Sequence, residues 1–116
     1  MSGSGSKWTN SGDFYVGNAG TGSLIVESGG SLSNVTSVIA SASGSTGTAT
    51  VTGSASQWIN SADLRVGGGG TGALTISDGG TASVGSAAFV GTYGGSNGTL
   101  SIESGGTLSS AYGYIG

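Results

Sequence analysis

The chain has 116 residues, of which 27 are glycine, and it contains no cysteine, histidine or proline. Its formal net charge is -3, and Lys7 and Arg65 are its only lysine and arginine residues. Two cations cannot neutralise a run of phosphates, which excludes a nucleic-acid-binding class, and the lack of cysteine excludes a disulfide scaffold or a thiolate metal site.

The chain opens with a tryptophan-containing segment that returns fifty residues later. Residues 3–17 are GSGSKWTNSGDFYVG, and residues 53–67 are GSASQWINSADLRVG. The first residues lack the apolar stretch of a signal peptide, and no apolar run is long enough to span a membrane. Because the chain starts and stops within a repeat, we expect residues 1–116 to be a single segment excised from a longer protein, with export signals outside it.

Four segments have the alternating pattern of a half-buried strand, and each begins at a glycine. These glycines are 25, 25 and 26 residues apart, at Gly22, Gly47, Gly72 and Gly98. Alternate residues of a strand face the same side, so each segment should bury two apolar side chains. The predicted inward pairs are Leu24 and Val26, Ala49 and Val51, Leu74 and Ile76, and Leu100 and Ile102.

Two further apolar anchors recur in every period, separated by glycine-containing turns. The second anchors are Trp8, Leu32, Trp58, Ala82 and Leu108, and the third are Val16, Ile39, Val66, Val90 and Ile115. One strand per face in each coil cannot pair within that coil, so it must pair with its equivalent in the next coil. The sequence therefore predicts an all-β parallel solenoid with three faces, about 25 residues per coil and roughly 4.5 coils.

The coils alternate in loop length. The third anchor precedes the core strand by 8 residues from Val16 to Leu24 and by 10 residues from Ile39 to Ala49, and the next two coils repeat these values. The full unit is therefore a pair of coils of about fifty residues. The longer loops should protrude at every second coil, and they are the predicted surface-contact sites, through Ser41, Ser45, Thr46, Thr92, Tyr93 and Asn97.

Three stretches carry a resemblance to a known family. They are VGNAGTGSLIVESGGSLS at residues 16–33, VGGGGTGALTISDGGTAS at 66–83 and, more loosely, VGTYGGSNGTLSIESGGTLS at 90–109. With the tryptophan segments, they resemble the passenger-associated transport repeat of bacterial autotransporter passenger domains (type V secretion). The resemblance covers nearly the whole chain and implies a right-handed parallel β-helix at the cell surface or secreted. It also implies a role as an adhesin stalk, with a host-surface or neighbouring-cell receptor as partner.

The residue types argue against catalysis. Glu27 and Glu103 occupy equivalent places three coils apart, about 14 Å, whereas glycoside chemistry needs carboxyl groups roughly 5 to 9.5 Å apart. Asp13 and Asp63 lie in S-x-D turns, where a carboxylate accepts backbone N–H groups. A serine nucleophile would have no histidine as its base. We therefore expect no enzymatic activity, no cofactor and no metal.

Three other hypotheses concern the surface. Trp8 and Trp58 would stack on sugars if exposed, although their place among the anchors favours packing in the core or at an end. Tyr15 and Tyr93 are better candidates for surface contacts.

Ice binding would need threonines stacked from coil to coil. The column through Thr50 does not fit, because it contains Ile25, Thr50, Thr75 and Ser101. End-to-end self-association through uncapped strand edges remains an alternative, and no membrane insertion is expected.

Overall fold

The chain is a parallel β-solenoid of about four turns. A computed structural model describes residues 1–92 and 94–116, and within them twelve strands and no helix are present, so no described helix could cross a membrane. The strands are β1 (Lys7–Thr9), β2 (Phe14–Val16), β3 (Thr21–Glu27), β4 (Ser31–Asn34), β5 (Ser37–Ile39), β6 (Thr46–Thr52), β7 (Gln57–Asn60), β8 (Leu64–Val66), β9 (Thr71–Ser77), β10 (Thr81–Val90), β11 (Asn97–Ile102) and β12 (Thr107–Ile115).

Every strand pairs in parallel with the equivalent strand of a neighbouring coil, as the sequence predicts. The first face is the sheet β3-β6-β9-β11, in which Leu24 aligns with Ala49 and Ala49 with Leu74. The second face stacks β1, β4, β7 and the first half of β10, and the third stacks β2, β5, β8 and the second half of β10. Strand β12 pairs with β10 along both halves.

The sequence predicts one sheet on each of the three faces, but the second and third faces join into a single sheet. Strands β10 and β12 run through the corner that separates the faces, with a register shift between Val84 and Ala87. At this corner a side chain on Gly85 would overlap the carbonyl group of Ser61, so only glycine permits the close passage of the two chains. The bulge lets β10 change direction without leaving the ladder.

The interior is filled by the predicted anchors, except at the last coil. Six of the eight predicted inward side chains on the first face are buried, namely Leu24, Val26, Ala49, Val51, Leu74 and Ile76. In the last coil, Leu100 is only partly buried, and Ile102 and Ile115 are 48% and 86% exposed. The register still aligns Ile102 with Ile76 and Ile115 with Val90, as predicted, and both are exposed because no further coil of the described chain covers them.

A polar cluster lies inside the corner between the second and third faces. Asn34 donates from Nδ2 to Ser37 Oγ at 2.7 Å and to Asn60 Oδ1 at 3.1 Å, and Ser37 Oγ also donates to Asn60 Oδ1. Trp58 Nε1 donates to Asn34 Oδ1 at 2.8 Å. All four side chains are buried, and each hydrogen bond offsets the cost of removing a polar group from water.

The two tryptophans of the repeated segment have different surroundings. Trp58 is fully buried, whereas Trp8 in the first coil is 46% exposed. Phe14 lies between them with its ring edge-on to both, at centroid distances of 5.2 Å to Trp8 and 6.4 Å to Trp58. Core packing holds for Trp58, and end packing holds for Trp8.

Candidate functional site

The loops between the third and first faces alternate in length as predicted. Val16 aligns with Ile39 and Thr21 with Thr46, so residues 17–20 form a short loop and residues 40–45 a long one. The next two coils repeat the pattern, with a short loop at residues 67–70 and a longer connection between Val90 and Asn97. The two-coil unit of about fifty residues is thus present in the backbone register.

The long loop of the second coil lies against the glycine-rich loop of the third. Backbone N–H groups of Gly69 and Gly70 donate to Ala40 O, both at 3.0 Å. A Cβ on Gly69 would lie 2.6 Å from Ser41 O, and one on Gly70 would overlap Ser45 O. The run of four glycines at residues 67–70 is therefore a packing surface for the neighbouring loop.

The predicted loop contact residues divide into available and unavailable positions. Thr46 and Asn97 are exposed, Ser41 and Thr92 are half-buried, and Tyr93 lies outside the described residues. Ser45 is only 2% exposed, and its Oγ donates to Ala42 O at 2.6 Å, so its assignment as a surface contact is wrong. The hydroxyl closes its own loop, and the next coil covers it.

The described carboxylates are dispersed. Thr52 and Ser77 separate Glu27 from the coil of Glu103, as the sequence predicts. Asp63 Oδ1 accepts a backbone hydrogen bond from Ala87 N at 3.1 Å, so its partner lies in the next coil and not in its own turn. Among residues 1–92 and 94–116, no three acidic side chains gather closely enough to hold a metal ion.

The outer side of the first face is rich in hydroxyl groups. Thr21, Thr46 and Thr71 stack in one column, which continues to Asn97. The next column of outward side chains, two residues further along each strand, contains Ala73, which has no hydroxyl group. The column after that begins with Ile25. Regular threonine stacking is therefore confined to a single column of three residues.

A shallow groove of about 430 Å³ crosses the outer side of the second face. Its floor is formed by two rows of side chains, which follow the register Lys7, Ser31, Gln57 and Thr9, Ser33, Ile59. Most of these groups are short and uncharged, and Lys7 is the one cation among them. The groove offers hydroxyl groups to a ligand and little apolar enclosure.

The third face carries a stripe of large side chains on its outer side. One residue from each coil contributes, in the register Tyr15, Val38, Arg65, Phe89 and Tyr114. We call these five residues the aromatic stripe. The Phe89 and Tyr114 rings stack at 5.0 Å with an interplanar angle of 10°, and the Arg65 guanidinium lies 5.5 Å from the Phe89 centroid.

Val38 interrupts the stack. A slot of about 190 Å³ lies at its level, lined by Tyr15, Val38, Ser41, Arg65 and Gly68. Arg65 Nη2 is 4.0 Å from Asp63 Oδ2, so an ion pair orients the guanidinium at the edge of this slot. Tyr15 was expected to be a surface contact, and it is exposed; its place in the stripe follows from the coil register.

The final coil ends in an apolar depression of about 240 Å³, lined in part by Val90, Leu100, Leu108 and Ile115. At the opposite end, Met1 pairs with the outer edge of β3: its amino group donates to Ile25 O at 2.6 Å, and its carbonyl accepts from Glu27 N at 2.9 Å. The expectation that both ends expose unpaired edges is therefore wrong for this part of β3.

Comparison with known proteins assigns no family. No family model, no curated protein sequence and no solved structure matches the chain significantly. The fold and the surface define the chain as a repetitive parallel β-solenoid whose outward side chains form axial columns.

Proposed function

We propose that the chain is a structural and adhesive β-solenoid segment of an autotransporter-like passenger domain, without catalytic activity. In this proposal it stands at a bacterial cell surface or is secreted, through signals outside the chain, and contacts a receptor on a host surface or a neighbouring cell. The observation that carries the proposal is the aromatic stripe, which aligns one residue of every coil: Tyr15 and Tyr114 are exposed at its two ends, Arg65 and Phe89 are half-buried, and Val38 is buried.

The backbone supports a mechanical role. Each coil is joined to the next by parallel ladders on all three faces, and the interior is filled by side chains of consecutive coils. Such a stack transmits load through many backbone hydrogen bonds and holds its outward side chains at a fixed spacing of about 4.8 Å. A rod with regular columns suits a protein that presents a contact surface at a distance from its anchor.

Surface display tests the adhesive role. The chain would be displayed on a non-adherent bacterial strain by an autotransporter secretion system, and retention on an epithelial monolayer and settling of the culture would be measured. The matched control is the Leu74→Asp variant, which buries an unpaired charge and should unfold the central coils. We expect higher retention or faster settling only for the folded chain. Equal values for both chains would contradict an adhesive role.

A second candidate function is end-to-end self-assembly. Two features favour it. The outer edge of β11 has unpaired backbone groups, and the depression at the last coil exposes apolar surface. Head-to-tail stacking would, however, place Glu103 beside Glu27 of the next copy and would displace Met1 from β3. Neither problem arises if two copies meet through their final coils. This candidate therefore predicts a dimer in preference to a fibre.

Size-exclusion chromatography and electron microscopy separate the two candidates. A monomer that persists at every concentration would exclude self-assembly, and filaments would exclude the limited pairing derived above. The Ile102→Lys variant adds a charge to the exposed end without touching the buried core, and it should remove any pairing. The Thr99→Lys variant, exposed on the outer side of β11, is the matched control and should leave it intact.

A further inference from the structure

The two ends of the solenoid are closed to different degrees. At the first coil, Met1 pairs with part of the outer edge of β3, and the ring of Phe14 packs edge-on against Trp8 and Trp58. At the final coil, residues 97–116, β11 pairs only with β9 and β12 only with β10 in the described part of the chain. The final coil therefore has the longer free strand edges, because β12 extends over two faces.

The free backbone groups of β11 belong to the residues whose side chains point inward. Asn97 N and Glu103 N donate to carbonyl groups of the preceding coil. Successive residues of a strand direct their N–H and C=O groups to opposite sides. The backbone groups of Gly98, Leu100 and Ile102 therefore point along the axis, away from the preceding coil.

Strand β12 has the same arrangement on both of its faces. Thr107 N and Gly116 N donate to the preceding coil, and the register shifts once at the corner between them. The residues with free backbone groups are those aligned with buried residues of β10, namely Leu108, Ser110, Gly113 and Ile115. On both edges, one set of residues thus carries the inward side chains and the free hydrogen-bonding groups.

The cross-section of the coil suits a two-fold contact. Strands β3, β6 and β9 of the first face have seven residues each, whereas β4 and β7 of the second face have four, and β5 and β8 of the third have three. A two-fold axis through the middle of β11 and the opposite corner would exchange the second and third faces, which are nearly equal in length. This rotation reverses strand direction, so the edges of two copies would meet antiparallel.

On the first face, one register pairs all the free groups of β11. With Leu100 on the axis opposite its own copy, Gly98 lies opposite Ile102 of the second copy, and the absent side chain of the glycine leaves room for the isoleucine. Both members of each pair have free backbone groups, so each pair exchanges two hydrogen bonds.

The same axis also pairs the free groups of β12. Leu108 lies opposite Ile115 of the second copy, and Ser110 lies opposite Gly113. The register shift at the corner permits this, because it moves the inward positions from even to odd residue numbers. Leu108 and Ile115 line the apolar depression of this end, which the second copy would fill.

The charges favour this contact over a parallel one. The register places Glu103 opposite Asn97 of the second copy, whose side-chain amide can donate to the carboxylate. Head-to-tail stacking would instead place Glu103 beside Glu27, where like charges repel. Glu103 is the only charged side chain among residues 97–116, so the contact removes no other charged side chain from water.

The area is sufficient for a dimer of moderate affinity. The coils stand about 20 Å tall at the ordinary strand spacing, so the longest dimension of the molecule, 38 Å, lies across the coil. An end of 38 by 23 Å covers on the order of 700 Å², close to the roughly 800 Å² that each partner contributes to a standard interface. We propose that two copies of the chain dock final coil to final coil about this axis, with β11 and β12 each pairing antiparallel with its own copy. The proposal rests on the self-assembly candidate given above.

Sedimentation equilibrium measures the association of the native chain. We expect a monomer–dimer equilibrium with a dissociation constant in the micromolar range, because both edges pair but only one end is buried. A chain that stays monomeric up to about 1 mM overturns the proposal.

Disulfide trapping measures the register, because the chain has no cysteine of its own. The Asn97→Cys and Glu103→Cys proteins are oxidised separately and as a mixture. The two-fold axis places the two positions opposite each other and keeps each far from its own copy, so a covalent dimer should form in the mixture only. The control mixture of Glu27→Cys with Glu103→Cys should form one only in head-to-tail stacking. Absence of the first disulfide at concentrations where dimers exist overturns the proposal.

Charge at the same position gives an independent test. Asn97→Glu places carboxylates opposite each other twice in the dimer, and it should raise the dissociation constant about tenfold. Adding Glu103→Lys should restore the native value or lower it. Ser109→Glu is the matched control, because Ser109 is exposed and would lie opposite the uncharged Tyr114. It should change the dissociation constant less than about threefold, and an effect equal to that of Asn97→Glu overturns the register.

The outcomes separate this inference from the functions proposed above. A dimer or filament that forms without the disulfide between positions 97 and 103 leaves self-assembly in place and overturns the antiparallel contact. A persistent monomer removes both. The adhesive function is decided separately, by the retention and settling of cells that display the chain.

Discussion

Trp58 donates a 2.8 Å hydrogen bond from Nε1 to Oδ1 of Asn34 across one coil boundary, in a region where neither side chain is exposed. The same asparagine donates to Ser37 and Asn60. One amide thus supplies an acceptor and two donors to groups that have no access to solvent.

Replacing Asn34 by Ala should destabilise the fold by about 2–4 kcal/mol, because the buried indole N–H of Trp58 loses its acceptor and the buried Asn60 oxygen loses one of its two donors. Urea unfolding measures the change. Asn10 precedes the same corner in the first coil, but its hydrogen bonds to Gly12 and Asp13 lie near the surface. The Asn10→Ala control should cost less than about 1 kcal/mol. Equal costs at the two positions would show that burial of the cluster adds nothing.

Gly70 and Gly20 allow a steric test at equivalent loop positions. A Cβ on Gly70 would overlap Ser45 O, whereas one on Gly20 would meet nothing within 4 Å. Neither glycine has a positive φ, so conformational strain does not enter. Gly70→Ala should cost about 1–3 kcal/mol, and Gly20→Ala should be neutral or stabilising by up to about 1 kcal/mol. Equal melting temperatures for the two variants would contradict the close packing of Gly70 against the long loop.

The two tryptophans should differ in fluorescence. Trp58 is fully buried and Trp8 is 46% exposed. The Trp8→Phe variant, which retains Trp58, should emit at shorter wavelength and resist quenching by iodide. The Trp58→Phe variant should emit at longer wavelength and be quenched, and it should lose more stability because its indole fills the core. Similar quenching of both variants would place Trp58 at the surface.

The first face offers a test of side-chain direction within one strand. Leu74 is fully buried and its neighbour Thr75 points outward. Leu74→Ala should cost about 3–5 kcal/mol through lost burial and the cavity that remains. Thr75→Ala should stay within about 0.5 kcal/mol of the native chain. Chemical denaturation measures both, and a larger cost at Thr75 would mean that the strand faces the opposite way.

The solenoid could be predicted because the residue pattern that specifies it is periodic. Each coil repeats the same alternation of apolar residues, and parallel pairing between coils is the one arrangement that satisfies strands which have no partner in their own coil. The loop alternation followed from the spacing of Val16, Leu24, Ile39 and Ala49, and the register reproduces it. Coil number and pairing partners needed no knowledge of side-chain conformation.

The surface was harder to predict because it depends on which groups meet. Ser45 resembles any loop serine in the sequence, and its burial follows from the approach of Gly70 in the next coil. The residues that precede the third anchors could have been listed from the period alone. Whether Phe89 and Tyr114 stack is decided by their rotamers, which the period does not specify.

The contact between loops of unequal length restricts how such a molecule can grow. The glycine loop at residues 67–70 fits because the coil before it carries the long loop, whose Ser41 and Ser45 carbonyl groups leave no room for a Cβ. Inserting one coil would bring loops of the same kind together, whereas inserting two would restore every contact. Length is therefore quantised in steps of about 10 Å, twice the strand spacing, so gene duplication and protein design must both add or remove coils in pairs.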